Sequence, residues 1–149
     1  MLANHPYEEV AYDIYPLEND LENTGLGAIG EFNKAMNQDD FLHFVKELLG
    51  LNSLRFNHFE GKIKRLALCG GAGTSLLSRA LSVNADAFLT GDVKYHDFQA
   101  ATRRILLVDA GHYETEIQVL HIIKELISEK IPTFATLISK ADTNFVKYL

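Results

Sequence analysis

From Lys62 onward, apolar runs alternate so regularly with glycine-rich or polar breaks that few chain folds accommodate them. "IKRLALC" has the length and composition of a buried strand, "GGAG" interrupts it, and "TSLLSRALSV" predicts a short helix capped by Thr74 or Ser75. "DAFLTGD" predicts a second strand, "KYHDFQAATR" a second helix and "ILLVDAG" a third strand. "HYETEIQVLHIIKELISEK" then predicts a long amphipathic helix, with Ile117, Leu120, Ile123 (or Ile122) and Ile127 on its apolar side. "PTFATLIS" predicts a fourth strand. Strands separated by helices require right-handed crossovers. The expectation is therefore an α/β fold: a mainly parallel sheet with helices on both faces.

The first sixty residues read differently. "EEVAYDIYPL" alternates as a half-exposed strand does, and the polar, glycine-bearing stretch after it predicts a connector with a short strand at "GAIGEF". "DDFLHFVKELLG" predicts a helix capped by Asp39 or Asp40, with Phe41, Phe44, Val45 and Leu48 on one face and Gly50 ending it. Charge divides the chain in the same place. Met1–Glu60 carries 3 basic and 11 acidic residues, whereas Gly61–Leu149 carries 11 and 9, which fits two pieces of different origin.

The net charge of −6 argues against a nucleic-acid binder, which needs a basic face. With 47% apolar residues over 149 positions, one real core is affordable. A single cysteine, Cys69, rules out an internal disulfide and fits a reducing compartment. No apolar run reaches the length of a membrane span, and no basic-then-apolar leader is present, so a cytoplasmic protein without membrane contact is expected.

Parallel sheets bind ligands beyond the carboxyl ends of their strands. Three motifs fall at such ends: "CGGAG", "TGDVKYH" and "DAGHYETE". In the last, His112 and Glu116 lie four residues apart, on one face of a helix, while Glu114 points away. An imidazole and a carboxylate so placed suit zinc, manganese or iron; a capped helix start with acids near the positive dipole end would look the same. Asp109 is a ligand, an orienting partner of His112, or a turn-closing residue. His96 is a candidate proton donor or substrate contact, against a helix-start histidine bonded to backbone. Asp92 follows Gly91, where aspartate commonly satisfies turn or cap hydrogen bonds. The glycines of "CGGAG" either cradle an anion or allow close packing of strand on helix; the lysine of a P-loop and the dinucleotide spacing are both missing. Cys69 reads as a core residue. His121 falls on the opposite side of its helix from His112, and His43 and His58 have no ligand-spaced partner. An open catalytic zinc site uses three protein ligands, and this chain offers two with a doubtful third.

Taken together, "NHPYEEVAYDIYPL", "GLGAIGEF", "CGGAG", "ADAFLTGDVKYHDFQ" and "VDAGHYETE" resemble the Nif-three-like family, whose members are called GTP cyclohydrolase 1 type 2 homologs. The closing "DTNFVKYL" resembles the family's "DTNPF" but lacks its proline, and "NHPYEE" resembles the PII-like ferredoxin fold that many members carry as an insert. The resemblance implies that residues 1–32 are the tail of that insert with a connector, and 33–149 the C-terminal half of an α/β metal-binding domain. It further implies a site for two divalent metal ions, with His112 and Glu116 as ligands and His96 near them, completed by ligands from an N-terminal half that nothing here matches. By the same resemblance the intact protein would be a metal-dependent, cyclohydrolase-like hydrolase of a small-molecule substrate, or else a non-catalytic regulatory oligomer with protein partners. This chain alone would be inactive and would associate with copies of itself.

Overall fold

The computed structural model describes Pro6, residues 12–16 and residues 24–149. Its centre is three parallel strands: β3 (Ile63–Leu68), β4 (Ala87–Thr90) and β5 (Leu106–Asp109). Leu106, Leu107 and Val108 of β5 are fully buried, which explains why "ILLV" reads as an unbroken apolar run. Successive side chains go to opposite faces. Ala67, Phe88 and Leu107 pack on one face with Leu77 and Ala80 of α2 (Leu77–Ser82) and Ala101 of α3 (Tyr95–Ala101). Ile63, Ala87, Leu106 and Val108 pack on the other with Phe41, Leu42 and Val45 of α1 (Gln38–Leu49). Each large side chain so buried contributes about 1.5–3 kcal/mol. The α/β fold with helices on both faces is thus as expected.

Both edges are antiparallel. The sheet order is β1-β3-β4-β5-β2, with β1 (Ala28–Met36) against β3 and the two-residue β2 (Arg55–Phe56) against β5. β1 takes in the expected "GAIGEF" strand from Ala28 onward and extends it to Met36, nine residues in all. β2 was not foreseen, because two residues carry no periodicity. Half of the expected strand over "EEVAYDIYPL" falls outside the described residues, and its described half, residues 12–16, is exposed and irregular.

Local details correct several expectations. Asn37, not Asp39 or Asp40, caps α1: its side chain accepts from the Asp40 amide at 2.8 Å, which leaves both aspartates in the first turn near the positive dipole end. Gly50 ends the helix in the left-handed conformation, as expected. The buried face of α1 is Phe41, Leu42 and Val45, with Phe44 and Leu48 exposed beside it. Neither Thr74 nor Ser75 caps a helix. A 3-10 turn (Thr74–Leu76) precedes α2, and the Gly73 amide donates instead to the Thr90 hydroxyl on the neighbouring strand.

The expected long C-terminal helix is two helices, α4 (His112–Glu116) and α5 (Val119–Lys130), and no residue of α5 is buried. No strand forms at residues 132–139; after a turn the chain is irregular, with Phe134 and Leu137 exposed. The physical reason lies in the sheet order. The free side of β5, where a fourth parallel strand would add, is already taken by β2.

Candidate metal centre at the strand ends

The three strand-end motifs meet, and backbone and hydroxyl hydrogen bonds hold them together. Thr90, fully buried at the end of β4, donates its hydroxyl to the Gly71 carbonyl at 3.0 Å and accepts from the Gly73 amide at 2.9 Å. The Gly91 amide donates to the same Gly71 carbonyl at 2.8 Å, and Gly71 N–H donates to the Thr115 hydroxyl of α4 at 2.9 Å. The amides of Gly71 and Gly73 are therefore spent on neighbouring threonines. The glycine loop acts as a close-packing element, which is the second of its two sequence readings. Cys69 is buried, with its sulfur 3.1 Å from the Leu26 carbonyl.

Asp109 is a hub inside this edge and does not touch His112. Its Oδ2 accepts from the Val93 amide at 3.0 Å and from Arg55, and its Oδ1 accepts from the Gly111 amide at 3.0 Å. Of its three sequence readings, turn closure is the one observed. Arg55 donates a second bond to the Val93 carbonyl at 2.9 Å, so the short β2 strand is tied to the loop after β4. A carboxylate only 6% exposed would be costly to bury without such partners.

His112 and Glu116 lie side by side as the helical spacing predicts. Nε2 of His112 is 3.3 Å from Oε2 of Glu116. On the other side of the ring, Nδ1 is 2.7 Å from Oδ2 of Asp92. The Asp92 hydrogen bond raises the His112 pKa above its ordinary value; partial desolvation pulls it back, and the Glu116 charge adds to the rise. Glu114 bonds to neither His112 nor Glu116 and accepts from the Asn144 amide group at 2.8 Å, which anchors the "DTNF" segment, but it lines the same cleft. A cleft of ≈ 720 Å³ opens here, lined by Arg55, Asp92, His112 and Glu116 and by Asn144 and Tyr148 of the C-terminal segment. Burial, helped by the Glu114 and Asp109 charges, pushes the Tyr148 phenol upward.

The other described histidines make no hydrogen bond to this pair. His96, exposed at the start of α3, has its Nδ1 3.4 Å from Gln99 and its ring edge-on to Tyr95; its hydrogen bonds reach neither His112 nor Glu116. His121 is exposed on α5, His43 is exposed on α1, and His58 pairs with Glu60. Asp92, Arg55 and Asn144 are the residues that sequence reasoning undervalued. Their partners lie 20, 54 and 30 positions away, beyond the reach of any local pattern.

The donor set fits part of a metal coordination sphere. Nitrogen and oxygen donors about 2.0–2.2 Å from a tetrahedral ion lie roughly 3.3–3.5 Å apart, and the 3.3 Å between Nε2 and Oε2 matches that edge. Gly71 keeps the space beside them open. It has a φ of +63°, and a Cβ there would stand 2.4 Å from Oε1 of Glu116 and 3.2 Å from Nε2 of His112. Among the described residues no group of three His, Cys, Asp or Glu side chains is placed to hold one ion. No described helix is long and apolar enough to cross a membrane.

Comparison with known proteins decides the lineage. A family model described as Duf34/NIF3 (NGG1p interacting factor 3) matches residues 3–144. The chain belongs to the Duf34/NIF3 family. Curated relatives of this NIF3-family chain include a Bacillus subtilis protein, 34% identical over the whole chain, and a Halalkalibacterium halodurans protein, 38% identical over 88% of it. Both are named GTP cyclohydrolase 1 type 2 homolog. Among solved structures, a Staphylococcus aureus protein, SA1388, matches 99% of this chain with a TM-score of 0.77 at 28% identity, over 50% of its own length. A Bacillus cereus protein related to NIF3 matches 99% with a TM-score of 0.73 at 31% identity, over 42% of its length. The NIF3-family chain thus spans 41% of the Bacillus subtilis relative and 34% of the Halalkalibacterium one.

Proposed function

We propose that this chain supplies one side of a divalent-metal site, with His112 and Glu116 as its donors, in a protein whose whole form is a metal-dependent hydrolase. The reading rests on one observation. Asp92 lies 2.7 Å from Nδ1 and a Glu116 oxygen 3.3 Å from Nε2, so with Nδ1 donating to Asp92 a neutral ring would turn its Nε2 lone pair toward Glu116. Two acceptors facing each other across that gap need a positive charge between them, either a proton or a metal ion. The nitrogen and oxygen donors suit zinc, manganese or iron. Two ions per complete site, with the remaining donors from the part of the relatives that this chain does not span, would accommodate its having only two.

Such ions, when bound, lower the pKa of water and supply a hydroxide nucleophile. His112 and Glu116 would hold the charge in place, and the neighbouring cleft would receive a small-molecule substrate. His96, exposed at the adjacent strand end, would exchange protons with that substrate or orient it. The relatives' name makes GTP the first substrate to try. With two donors, the isolated chain is expected to be inactive.

A second reading, a non-catalytic metal-binding or regulatory oligomer, draws on a different observation. Leu120, Ile123 and Leu126 recur at helical spacing on α5 and are exposed, and Phe134, Leu137 and Phe145 beyond it are exposed too, apolar area suited to self-association.

Elemental mass spectrometry on the purified chain and on His112→Ala tests the first reading. Near-stoichiometric metal, abolished by the substitution, is the expected result; no metal in either protein would overturn it. Metal without turnover of GTP or phosphoesters, in a protein carrying the complete site, would favour the second.

A further inference from the structure

We propose that Asp92 is the positioning residue for His112: it holds the imidazole in the Nδ1–H tautomer and aims Nε2 at the cation site. The inference rests on the metal reading above only for the identity of that cation. A neutral imidazole in water exchanges between two tautomers and turns about its side-chain bonds. Both ring nitrogens face a carboxylate oxygen, but the Asp92 contact on Nδ1, at 2.7 Å, is shorter than the Glu116 contact on Nε2, at 3.3 Å, so it selects the ring that carries its proton on Nδ1 and leaves the lone pair on Nε2.

The "TGD" motif is built residue by residue to make this contact. Thr90 staples the end of β4 to the glycine loop through two hydrogen bonds. Gly91 passes so close to the start of α4 that a Cβ would stand 2.8 Å from the His112 amide nitrogen. Asp92 itself has a φ of +55°, in the left-handed region that most side chains avoid and that Asp and Asn tolerate. A non-glycine residue held there at a strand end marks a place where the surrounding structure dictates the conformation.

The cleft also divides its carboxylates. Asp109 is engaged by Arg55 and two backbone amides, and Glu114 by Asn144. That leaves Asp92 and Glu116 for the two ring nitrogens of His112, one on each. In this arrangement the residue of "TGDVKYH" that contacts His112 is its aspartate.

The test uses Asp92→Asn and Asp92→Gly, since both residues accept a positive φ and leave the backbone unstrained. Circular dichroism melts confirm folding. Nitrogen-15 NMR of the metal-free chain, at a pH where imidazole is neutral, should show His112 in the Nδ1–H form in the parent and as a tautomer mixture in both variants. Calorimetric titration with zinc should show about 10–100-fold weaker binding in both variants. An unchanged tautomer in the folded variants would overturn the proposal. So would zinc binding at parental affinity. If the tautomer shifts but no form of the chain, the parent included, binds zinc, the positioning role is upheld and the metal reading alone falls.

Discussion

The carboxyl edge of the sheet and the C-terminal helix α5 are built on opposite principles. At the sheet edge, Thr90, Asp92, Asp109 and Thr115 each form hydrogen bonds to a different strand end or helix start, and the polar groups are satisfied by partners far along the chain. On α5 the apolar residues recur at helical spacing, yet none is buried. Amphipathic periodicity therefore reports that a face needs covering, and says nothing about what covers it. Polar residues at strand ends carry no periodic signal, yet there the local structure is tightly determined.

The sharpest way to break this contrast is to shorten apolar side chains in both regions. Leu106→Ala, in the fully buried β5, should cost about 2–5 kcal/mol in urea denaturation, through lost burial and an unfilled cavity. Leu126→Ala on α5 should stay within about 0.5 kcal/mol in dilute chain. If the α5 substitution proves costly, with a cost that grows with protein concentration, a second copy covers the helix. Light scattering would then show association that Leu126→Ala weakens.

A smaller effect tests the polar edge itself. Gly71→Ala places a methyl 2.4 Å from Oε1 of Glu116 at a φ of +63°. Bound metal should fall at least about tenfold by elemental analysis, a loss equivalent to about 1.4 kcal/mol, with modest destabilisation from the left-handed backbone. Parental metal content in Gly71→Ala would show that the open space beside His112 and Glu116 is not where an ion sits.

The smallest effect is electrostatic. Asp92 and Glu116 raise the His112 pKa in the folded chain, so protonation favours folding. That contribution is complete below the ordinary imidazole range and disappears as pH rises through the raised value. Because His112 is about half exposed, at 47%, solvent screening keeps it to a few tenths of a kcal/mol. Denaturant midpoints of metal-free chain should decline slightly across that window and stay flat in His112→Ala. A parental midpoint that rises over the same window would contradict the pairing with Asp92.

What could be read from the sequence follows from how far each interaction reaches. The parallel centre was legible because a strand buried on both faces must be continuously apolar, as "ILLV" is. The end of α1 at Gly50 and the shared face of His112 and Glu116 were legible because each depends on residues within one helical turn. The Asn37 cap was misassigned among neighbours that were all plausible caps.

The amino-acid sequence by itself determined which segments become the parallel strands and which two side chains stand together at the start of α4, because periodicity and helix geometry are local properties. Only the tertiary structure decided that β2 closes the β5 edge, that residues 132–139 have no strand to join, and that Asp92 rather than Asp109 faces His112. Those outcomes depend on which distant segment reaches a given edge first. A chain read one window at a time holds no record of that competition.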